Sequence, residues 1–445
     1  MNLPEHVLEC IETLENAGFA AYAVGGCVRD ACLGRPPQDF DLCTSARPRE
    51  MEALFSHKDL VLAGEKHGTV GVITAHGVVE ITTFRWDGGY GDHRHPDWVK
   101  FVGDVEQDLA RRDFTINAMA YSPKRGFADP FGGRKDLERR VLRAVGDPAR
   151  RFQEDALRIL RGARFGVKYG LTVERATWDA MIAQAGLMDN LARERVFDEL
   201  CKLLPLVSAG DLIALAPILA AVIPELGPMI GFDQHSPHHA YDLFTHTAMV
   251  TAGVPGDLAL RWAALLHDIG KAPTFTRDET GRGHFYGHAQ AGSEMADQVL
   301  RRLKAPTALR ERAVELIYRH MTHLEPDKKL LRRWLSRLGW ETLESLLYLQ
   351  EADMGGKGVD VPGEQRVFSK IRELLEEIRR ENACLSLKDL AVNGHDLMAL
   401  GLQGKAVGAA LQTLLDQVLE EKLPNERQTL LDYVREQICQ GEDFT

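Results

Sequence analysis

Apolar residues near the start of the chain recur as Val7, Leu8, Ile11 and Leu14, a spacing that predicts an amphipathic helix over residues 3–17. The period then changes. AAYAVGG (20–26) is a short apolar run closed by a glycine pair and predicts a buried strand, and VRDACLG (28–34) predicts a helix stopped at Gly34. DFDLCT (39–44) predicts a second strand. TVGVIT (69–74) and VVEITTF (78–84) predict a strand pair joined by a turn at His76-Gly77. RWDGGYGDHRHPDW (85–98), rich in Gly, Asp and His, follows neither period and reads as a mobile loop. From about Asp104 helical spacing prevails, and no strong strand signal returns. The pattern predicts an α+β chain: a small α/β head of about 145 residues, then an all-helical body.

Composition narrows the class. The 445 residues suffice for two or more domains, and 44% hydrophobic with 27% charged residues describes an ordinary globular protein. The most apolar stretch, LIALAPILAAVIP (212–224), is too short for a bilayer and contains prolines, so no membrane association is expected. The opening residues carry acids where a signal peptide has its basic region. The seven cysteines are scattered with no CxxC pair, so a reduced, cytoplasmic protein is expected. The net charge of −11 disfavours a polyanionic partner, yet Lys100 to Arg164 holds fifteen Lys/Arg against ten Asp/Glu. Such a basic stretch fits a local polyanion site, and a solvated helical face gives the same count.

Candidate chemistry starts at QDFDL. Asp39 and Asp41, two apart on a predicted strand, share a face. Alone they fit an edge strand with solvated acids equally well. Upstream, VGGCVRD sets a glycine pair between strand and helix, where backbone N–H groups and the helix dipole hold phosphate, with Arg29 one turn on. Paired carboxylates beside such a cradle point to Mg²⁺-assisted phosphoryl or nucleotidyl transfer. Glu80 is either a third carboxylate or a solvent-facing strand acid. In DLARRDFTINAMAY (108–121), Arg111, Arg112 and Asp113 precede a buried helix or turn containing Asn117, and the arginines suit phosphate oxygens. DPFGG (129–133) reads as a polar hinge. QEDALRILRGAR (153–164) predicts a helix with Asp155, Arg158, Arg161 and Arg164 every third residue. By itself it reads as surface ion pairs worth roughly 0.2–0.5 kcal/mol each.

GGCVRDACLGRPPQDFDLCT, RRDFTINAMA, DPFGG and EDALRILRGARF occur here in the order and at the spacings of bacterial class II CCA-adding enzymes, the tRNA nucleotidyltransferases, and the chain resembles that family over roughly residues 15–230. The resemblance implies a head related to DNA polymerase beta, with a mixed sheet. It implies that Asp39 and Asp41 bind Mg²⁺ and are catalytic, and that Gly26, Arg29 and Arg112 bind nucleotide. Asp155, Arg158, Arg161 and Arg164 complete the nucleotide site. Cytosine and adenine both present an exocyclic amine beside a ring-nitrogen acceptor, whereas uracil and guanine present the reverse. Asp155 and Arg158, sharing a helix face, would accept the first pair and reject the second. The implied partners are the tRNA 3′ end, CTP and ATP.

A second constellation reads His246, His267 and Asp268 in LLHDIGK, His284 and His288 in GHFYGHAQAG, then His320 and Asp353. These are common ligands of divalent metals. WAALLHDIGK and GHAQAGSEMA resemble the HD phosphohydrolase domain that some of these enzymes carry. The resemblance implies that His246, His267, Asp268 and Asp353 hold one transition-metal ion and that His288 and His320 hold a second. It also implies action on a phosphomonoester or cyclic phosphate at an RNA 3′ end. The tail, with LAVNGHDLMALGLQGKAVGAAL (390–411), fits a tRNA contact or a helical cap equally.

The implied division is a head (1–145), a helical neck and body for base and tRNA (146–230), an HD domain (231–360) and a helical tail (361–445). The alternatives are an enzyme adding only the terminal A, a poly(A) polymerase, and a non-catalytic RNA-binding or nucleotide-sensing protein. A poly(A) polymerase is expected to lack the HD cluster and to carry a basic patch where LAGEKHGTVGV (62–72) stands. A non-catalytic protein is expected to have lost Asp39, Asp41 or the HD ligands, and all are present. The long stretch from Arg85 to Trp98 argues against an enzyme that adds only CC.

Overall fold

The computed structural model describes residues 1–37, 39–88, 98–236, 240–358 and 364–439. The chain divides into two compact units, residues 1–230 with 299–305 and residues 231–298 with 306–445. In the first, helix α1 (Glu5–Asn16) buries Val7, Cys10, Ile11 and Leu14; Cys10 takes the place expected of Leu8, which is only half-buried. Strands follow as β1 (Ala21–Val24), β2 (Asp41–Thr44), β3 (Leu60–Val61), β4 (Thr69–Thr74), β5 (Gly77–Thr83), β6 (Arg85–Gly88), β7 (Trp98–Phe101), β8 (Ala120–Ser122) and β9 (Gly126–Ala128).

Among the described residues seven of these strands form one sheet in the order β3-β4-β5-β2-β1-β8-β9. β2 and β5 run parallel and every other neighbouring pair is antiparallel, so the sheet is mixed, as expected. The interleaved helices are α2 (Gly26–Cys32), α3 (Pro48–Leu54), α4 (Val105–Ala110) and α5 (Gly133–Glu138). Val24, Cys43, Phe84, Val105, Leu109, Ala118 and Ala120 pack into one buried cluster behind the sheet. Burying Val24, Phe84, Val105 and Leu109 contributes roughly 1.5–3 kcal/mol each. After the head come α6 (Pro148–Glu154), α7 (Leu157–Tyr169), α8 (Arg175–Ala183), α9 (Arg193–Leu203) and α10 (Ala209–Val222).

As expected, a buried turn holds Asn117: it is a 3₁₀ turn at Thr115–Asn117, between the end of α4 and the start of β8. Three expectations need correction. Strand structure returns after Asp104 as β8 and β9, each only three residues long, too short to show alternation. The stretch read as a mobile loop begins and ends as paired strands, with Arg85 opposite Phe101 and Gly88 opposite Trp98; residues 89–97 lie outside the described residues. DPFGG is a helix cap rather than a hinge. Asp129 accepts the Gly133 N–H at 2.6 Å and the Arg134 N–H at 3.0 Å, and α5 starts there.

The second unit is helical: α11 (Leu243–Gly253), α12 (Leu258–Leu266), α13 (Lys271–Thr274), α14 (His288–Arg302, which begins here), α15 (Thr307–Arg319), α16 (Lys328–Gly356, broken at Gly339), α17 (Glu364–Arg380), α18 (Gly394–Met398), α19 (Lys405–Leu419) and α20 (Arg427–Cys439). A short hairpin pairs Thr276–Arg277 with Gly283–His284. The tail has its own core of Leu397, Leu414, Leu415, Leu430 and Val434. No helix among the described residues is long and apolar enough to cross a membrane.

The α5 cap is tightly packed. A Cβ on Gly133 would lie 2.2 Å from the Thr115 carbonyl oxygen, and the Thr115 hydroxyl donates to Asp136 at 2.7 Å. Gly133→Ala is therefore expected to destabilise the head by about 1–3 kcal/mol through overpacking. Denaturant unfolding of the variant measures this; an unchanged midpoint would show that α5 shifts away freely.

Candidate functional site

A cavity of about 450 Å³ opens in the first unit. Its wall gathers Gly25, Gly26, Arg29 and Asp41 from the head strands and α2, Arg111, Arg112, Asp113 and Asn117 from the segment after α4, and Asp155, Arg158, Arg161 and Arg164 from the helical neck. Of the residues expected in the head site, Asp39 is not part of this wall, nor is the candidate third carboxylate Glu80; Asp39 is exposed, two residues before Asp41.

In the expected glycine cradle, the Gly25 N–H itself is already taken. The Gly25 N–H donates to the Met119 carbonyl at 3.1 Å, closing the sheet. What Gly25 provides is space and a left-handed turn: its φ is +77°, and a Cβ there would lie 2.9 Å from Arg112 Nη1. Arg29 is buried, donates to Asn117 Oδ1 at 2.6 Å and to Asp30 Oδ1 at 2.9 Å, and lies 4.4 Å from the Tyr169 ring centroid. Asn117 in turn donates to Asp113 Oδ1 at 3.0 Å, while Arg161 reaches Asp113 Oδ2 through Nε and Nη2 at 3.0 and 2.8 Å. Burial works against the Asp113 charge, but Arg161 and the Asn117 amide overcome it and hold the carboxyl down at about 2. Arg164 is paired with buried Glu199.

Asp155 and Arg158 do not share a helix face as expected. α6 ends at Glu154 and α7 starts at Leu157, with Asp155 extended at the break (φ −144°, ψ 102°). Nor do the two pair with each other. Asp155 Oδ1 accepts the Leu157 N–H at 3.1 Å, and Oδ2 accepts from Arg195 Nη2 at 3.2 Å. Arg158 donates to Glu154 Oε2 at 3.0 Å and to the carbonyls of Arg151 and Arg111 at 3.1 and 2.9 Å. Both side chains nonetheless line the one cavity.

Asp41 opens β2 directly opposite Glu80 of β5, in register on the same face. Asp39 precedes the strand rather than lying on it. Burial raises the Asp41 carboxyl, as do the charges of Glu80 and Asp39, while Arg112 opposes them. Carboxylates crowded so that one resists ionising are a donor set that a divalent cation would relieve.

In the second unit the nitrogen and oxygen ligand atoms of His246, His267, Asp268 and Asp353 all lie within 4.8 Å of one another, and so do those of Asp268, His288 and His320. Asp268 belongs to both groups. Nε2 of His267 is 3.3 Å from Nε2 of His246, and Nε2 of His288 is 3.3 Å from Nε2 of His320. Nδ1 of His267, His288 and His320 each faces a backbone carbonyl, of Ala264, Phe285 and Ile317, at 2.8, 2.8 and 2.6 Å. A carbonyl only accepts, so each Nδ1 carries the proton and each Nε2 of a neutral ring presents its lone pair inward. Burial disfavours charge on His267, but Asp268 and Asp353 outweigh it and lift that imidazole to about 10, while burial and the neighbouring His267 push His320 down to about 4. The two carboxylates thus demand positive charge at their centre, and the converging lone pairs fit metal ions there. His284 lies outside both groups and bonds Asp278 instead.

Several site residues were not singled out from the sequence. Arg195 had no local signal, being far along the chain from Asp155. Glu154 had one: it lies three from Arg151 and four from both Arg150 and Arg158, and it pairs with all three. Lys271 sits one turn from Asp268, donates to it at 2.7 Å and to Gln234 Oε1 at 3.1 Å.

Three family models match the chain: the Poly A polymerase head domain over residues 21–143, the Probable RNA and SrmB- binding site of polymerase A over 170–211, and the HD domain over 243–354. The chain is 32% identical over 433 residues to a CCA-adding enzyme of Bacillus velezensis, covering 96% of each, and 33% identical over 438 residues to one of Streptococcus mutans, covering 98% of this chain and 97% of that one. Among solved structures, the Bacillus stearothermophilus CCA-adding enzyme in complex with CTP superimposes with a TM-score of 0.72 at 30% identity, covering 99% of both chains. Identity near one third over alignments that span 96–98% of this chain shows the family, and the chain therefore belongs to the CCA-adding enzyme family.

Proposed function

We infer that this protein is a tRNA nucleotidyltransferase that adds CCA to the tRNA 3′ end from CTP and ATP, without a nucleic-acid template. The observation that carries the reading is the single cavity in which Asp41, the arginines and Asp155 meet. The four-part division of the chain and a cytoplasmic location belong to the same reading.

The 3′ oxygen of the tRNA bonds to the α-phosphorus of the incoming nucleotide, the bond from that phosphorus to the β-phosphate oxygen breaks, and pyrophosphate leaves with the hydroxyl proton lost to solvent. Asp39 and Asp41, with Glu80 beside Asp41, are the residues to hold Mg²⁺, which when bound activates the hydroxyl and neutralises the leaving group. Arg29, Arg112, Arg161 and Arg164 supply the positive charge that a triphosphate needs. Arg29, Arg161 and Arg164 are already tied to Asn117, Asp113 and Glu199, so little reorganisation is required as charge moves. For the base, Asp155 accepts from the exocyclic amine and Arg158 donates to the ring nitrogen. Arg195 and the Leu157 N–H orient the first, and Glu154 with two carbonyls orients the second.

The second unit adds a phosphohydrolase activity. His246, His267, Asp268 and Asp353 are the ligands of one divalent transition-metal ion and His288 and His320, with Asp268 between, of a second. A phosphomonoester or cyclic phosphate at an RNA 3′ end is the fitting substrate, because the head requires a free 3′ hydroxyl.

Three outcomes are expected. Asp39→Ala and Asp41→Ala each reduce nucleotide addition to background while tRNA binding survives, read by 3′-end sequencing of a tRNA lacking CCA supplied with CTP and ATP singly and together. Use of ATP alone in that assay would point to an enzyme that adds only the terminal A. Next, Asp155→Asn keeps an acceptor for the Leu157 N–H but brings an amide that can also donate. Base-edge contacts are worth about 1–3 kcal/mol, so preference for CTP and ATP over UTP and GTP should fall roughly 5- to 150-fold. Equal loss of kcat/KM on all four nucleotides would reduce Asp155 to a partner of Arg195. Finally, His267→Ala removes hydrolysis of an RNA 2′,3′-cyclic phosphate and leaves CCA addition nearly intact; addition lost in a folded variant would couple the two activities.

A further inference from the structure

We propose that Tyr286 is a stacking platform for the nucleobase of the HD-site substrate, so that this site takes the phosphate of a terminal nucleotide rather than a phosphate ester at large. The inference rests on the phosphohydrolase reading and names the substrate feature that the site recognises.

Tyr286 is 78% exposed, the most exposed of the large apolar and aromatic side chains among the described residues. It is also next to the metal-ligand cluster. The preceding residue, Phe285, touches that cluster at two points: its carbonyl accepts from His288 Nδ1 at 2.8 Å, and its ring centroid lies 5.5 Å from Lys271 Nζ, which itself reaches Asp268 at 2.7 Å. Gly287, at φ +76°, reverses the chain between Tyr286, which points to solvent, and His288, which points inward.

An exposed tyrosine ordinarily samples several rotamers, and this one is held. Its ring lies on the His284 imidazole at an interplanar angle of 5° with centroids 5.4 Å apart. The tyrosine hydroxyl is 3.4 Å from His284 Nδ1, and His284 Nε2 is 2.8 Å from Asp278 Oδ2. A carboxylate only accepts, so Nε2 carries the proton and Nδ1 accepts from the tyrosine. Asp278 is held in turn by Thr280 and by the Arg282 N–H. Fixing an exposed ring costs side-chain entropy and returns little burial. A ring backed on one face and presented to solvent on the other, one residue from a metal-binding pocket, is what a nucleobase requires. Met321, 61% exposed and directly after His320, offers a second apolar surface at the same ligand group.

For a 2′,3′-cyclic phosphate the step is hydrolysis: a water oxygen bonds to phosphorus, one ribose P–O bond breaks, and the ribose oxygen takes a proton. The base takes no part, so its contact with Tyr286 acts through binding. The test uses the full-length protein with Mn²⁺, Co²⁺ or Ni²⁺ and two substrates, adenosine 2′,3′-cyclic phosphate and methyl ribofuranoside 2′,3′-cyclic phosphate, which lacks the base. The wild-type protein is expected to favour the adenosine compound, chiefly through KM. Tyr286→Ala should lower that preference in kcat/KM by about 5- to 150-fold, the range that stacking of ~1–3 kcal/mol gives, and Tyr286→Phe should restore most of it. A preference unchanged in Tyr286→Ala, or absent from the wild type, overturns the platform while leaving the phosphohydrolase standing. Equal loss on both substrates makes the ring a structural element and overturns it too. No hydrolysis of either compound with any of the three metals overturns both readings.

Discussion

Like charges brought together without a ligand repel, and the head cavity is built against that constraint. Seven arginines line it: Arg29, Arg111, Arg112, Arg158, Arg161, Arg164 and Arg195. Their partners stand in and behind the wall: Asp30 for Arg29, Asp108 for Arg111 and Arg112, Asp113 for Arg161, Glu154 for Arg158, Glu199 for Arg164 and Asp155 for Arg195. Several of these acids are nearly fully buried, and burying a carboxylate is costly unless it is paired and hydrogen-bonded. The two costs offset each other. Arg111 and Arg112 lower the Asp108 carboxyl and Arg161 lowers Asp113 against burial, and the acids keep the arginines close enough for a triphosphate to meet a preformed field. The head fold serves this pairing, since the 3₁₀ turn that carries Asn117 is locked to α5 through Thr115 and Asp136.

The second unit meets the opposite problem. Its two carboxylates, buried Asp268 and half-buried Asp353, and its inward imidazole lone pairs are an excess of donors that a cation would balance. The same two carboxylates raise the His246 and His267 imidazoles against burial. Metal and proton therefore compete for the same imidazole nitrogens. Lys271 adds a fixed positive charge on Asp268, the carboxylate common to both ligand groups.

Much of this arrangement was legible in the residues. The strand–glycine–helix start and the β4–β5 hairpin follow from local period and spacing, whereas the candidate HD ligands followed from the resemblance to the HD domain, and their side chains converge in space. What local pattern could not give was pairing across the chain. Arg195 lies 40 residues from Asp155, and Asn117 lies 88 from Arg29, so no periodicity links them. β8 and β9 were missed because three residues cannot show alternation; they are strands only because β1 offers a free edge. Glu80 could not be chosen from the sequence, because its standing depends on the parallel register that sets it opposite Asp41.

The break at Asp155 shows why regular spacing misled. On a continuous helix Asp155 and Arg158 would be neighbours, and neighbouring opposite charges satisfy each other rather than a ligand. The backbone instead leaves the helix for one residue. That turns Asp155 back onto the Leu157 N–H and toward Arg195, while Arg158 swings to Glu154. Each group now has its own anchor, and the pair is not consumed by a mutual salt bridge. The Leu157 hydrogen bond belongs to the start of α7, so the same carboxylate that faces the cavity also contributes on the order of 1 kcal/mol to helix initiation. Helix stability and the proposed base reading are joined at this residue, and only a substitution that preserves the acceptor separates them.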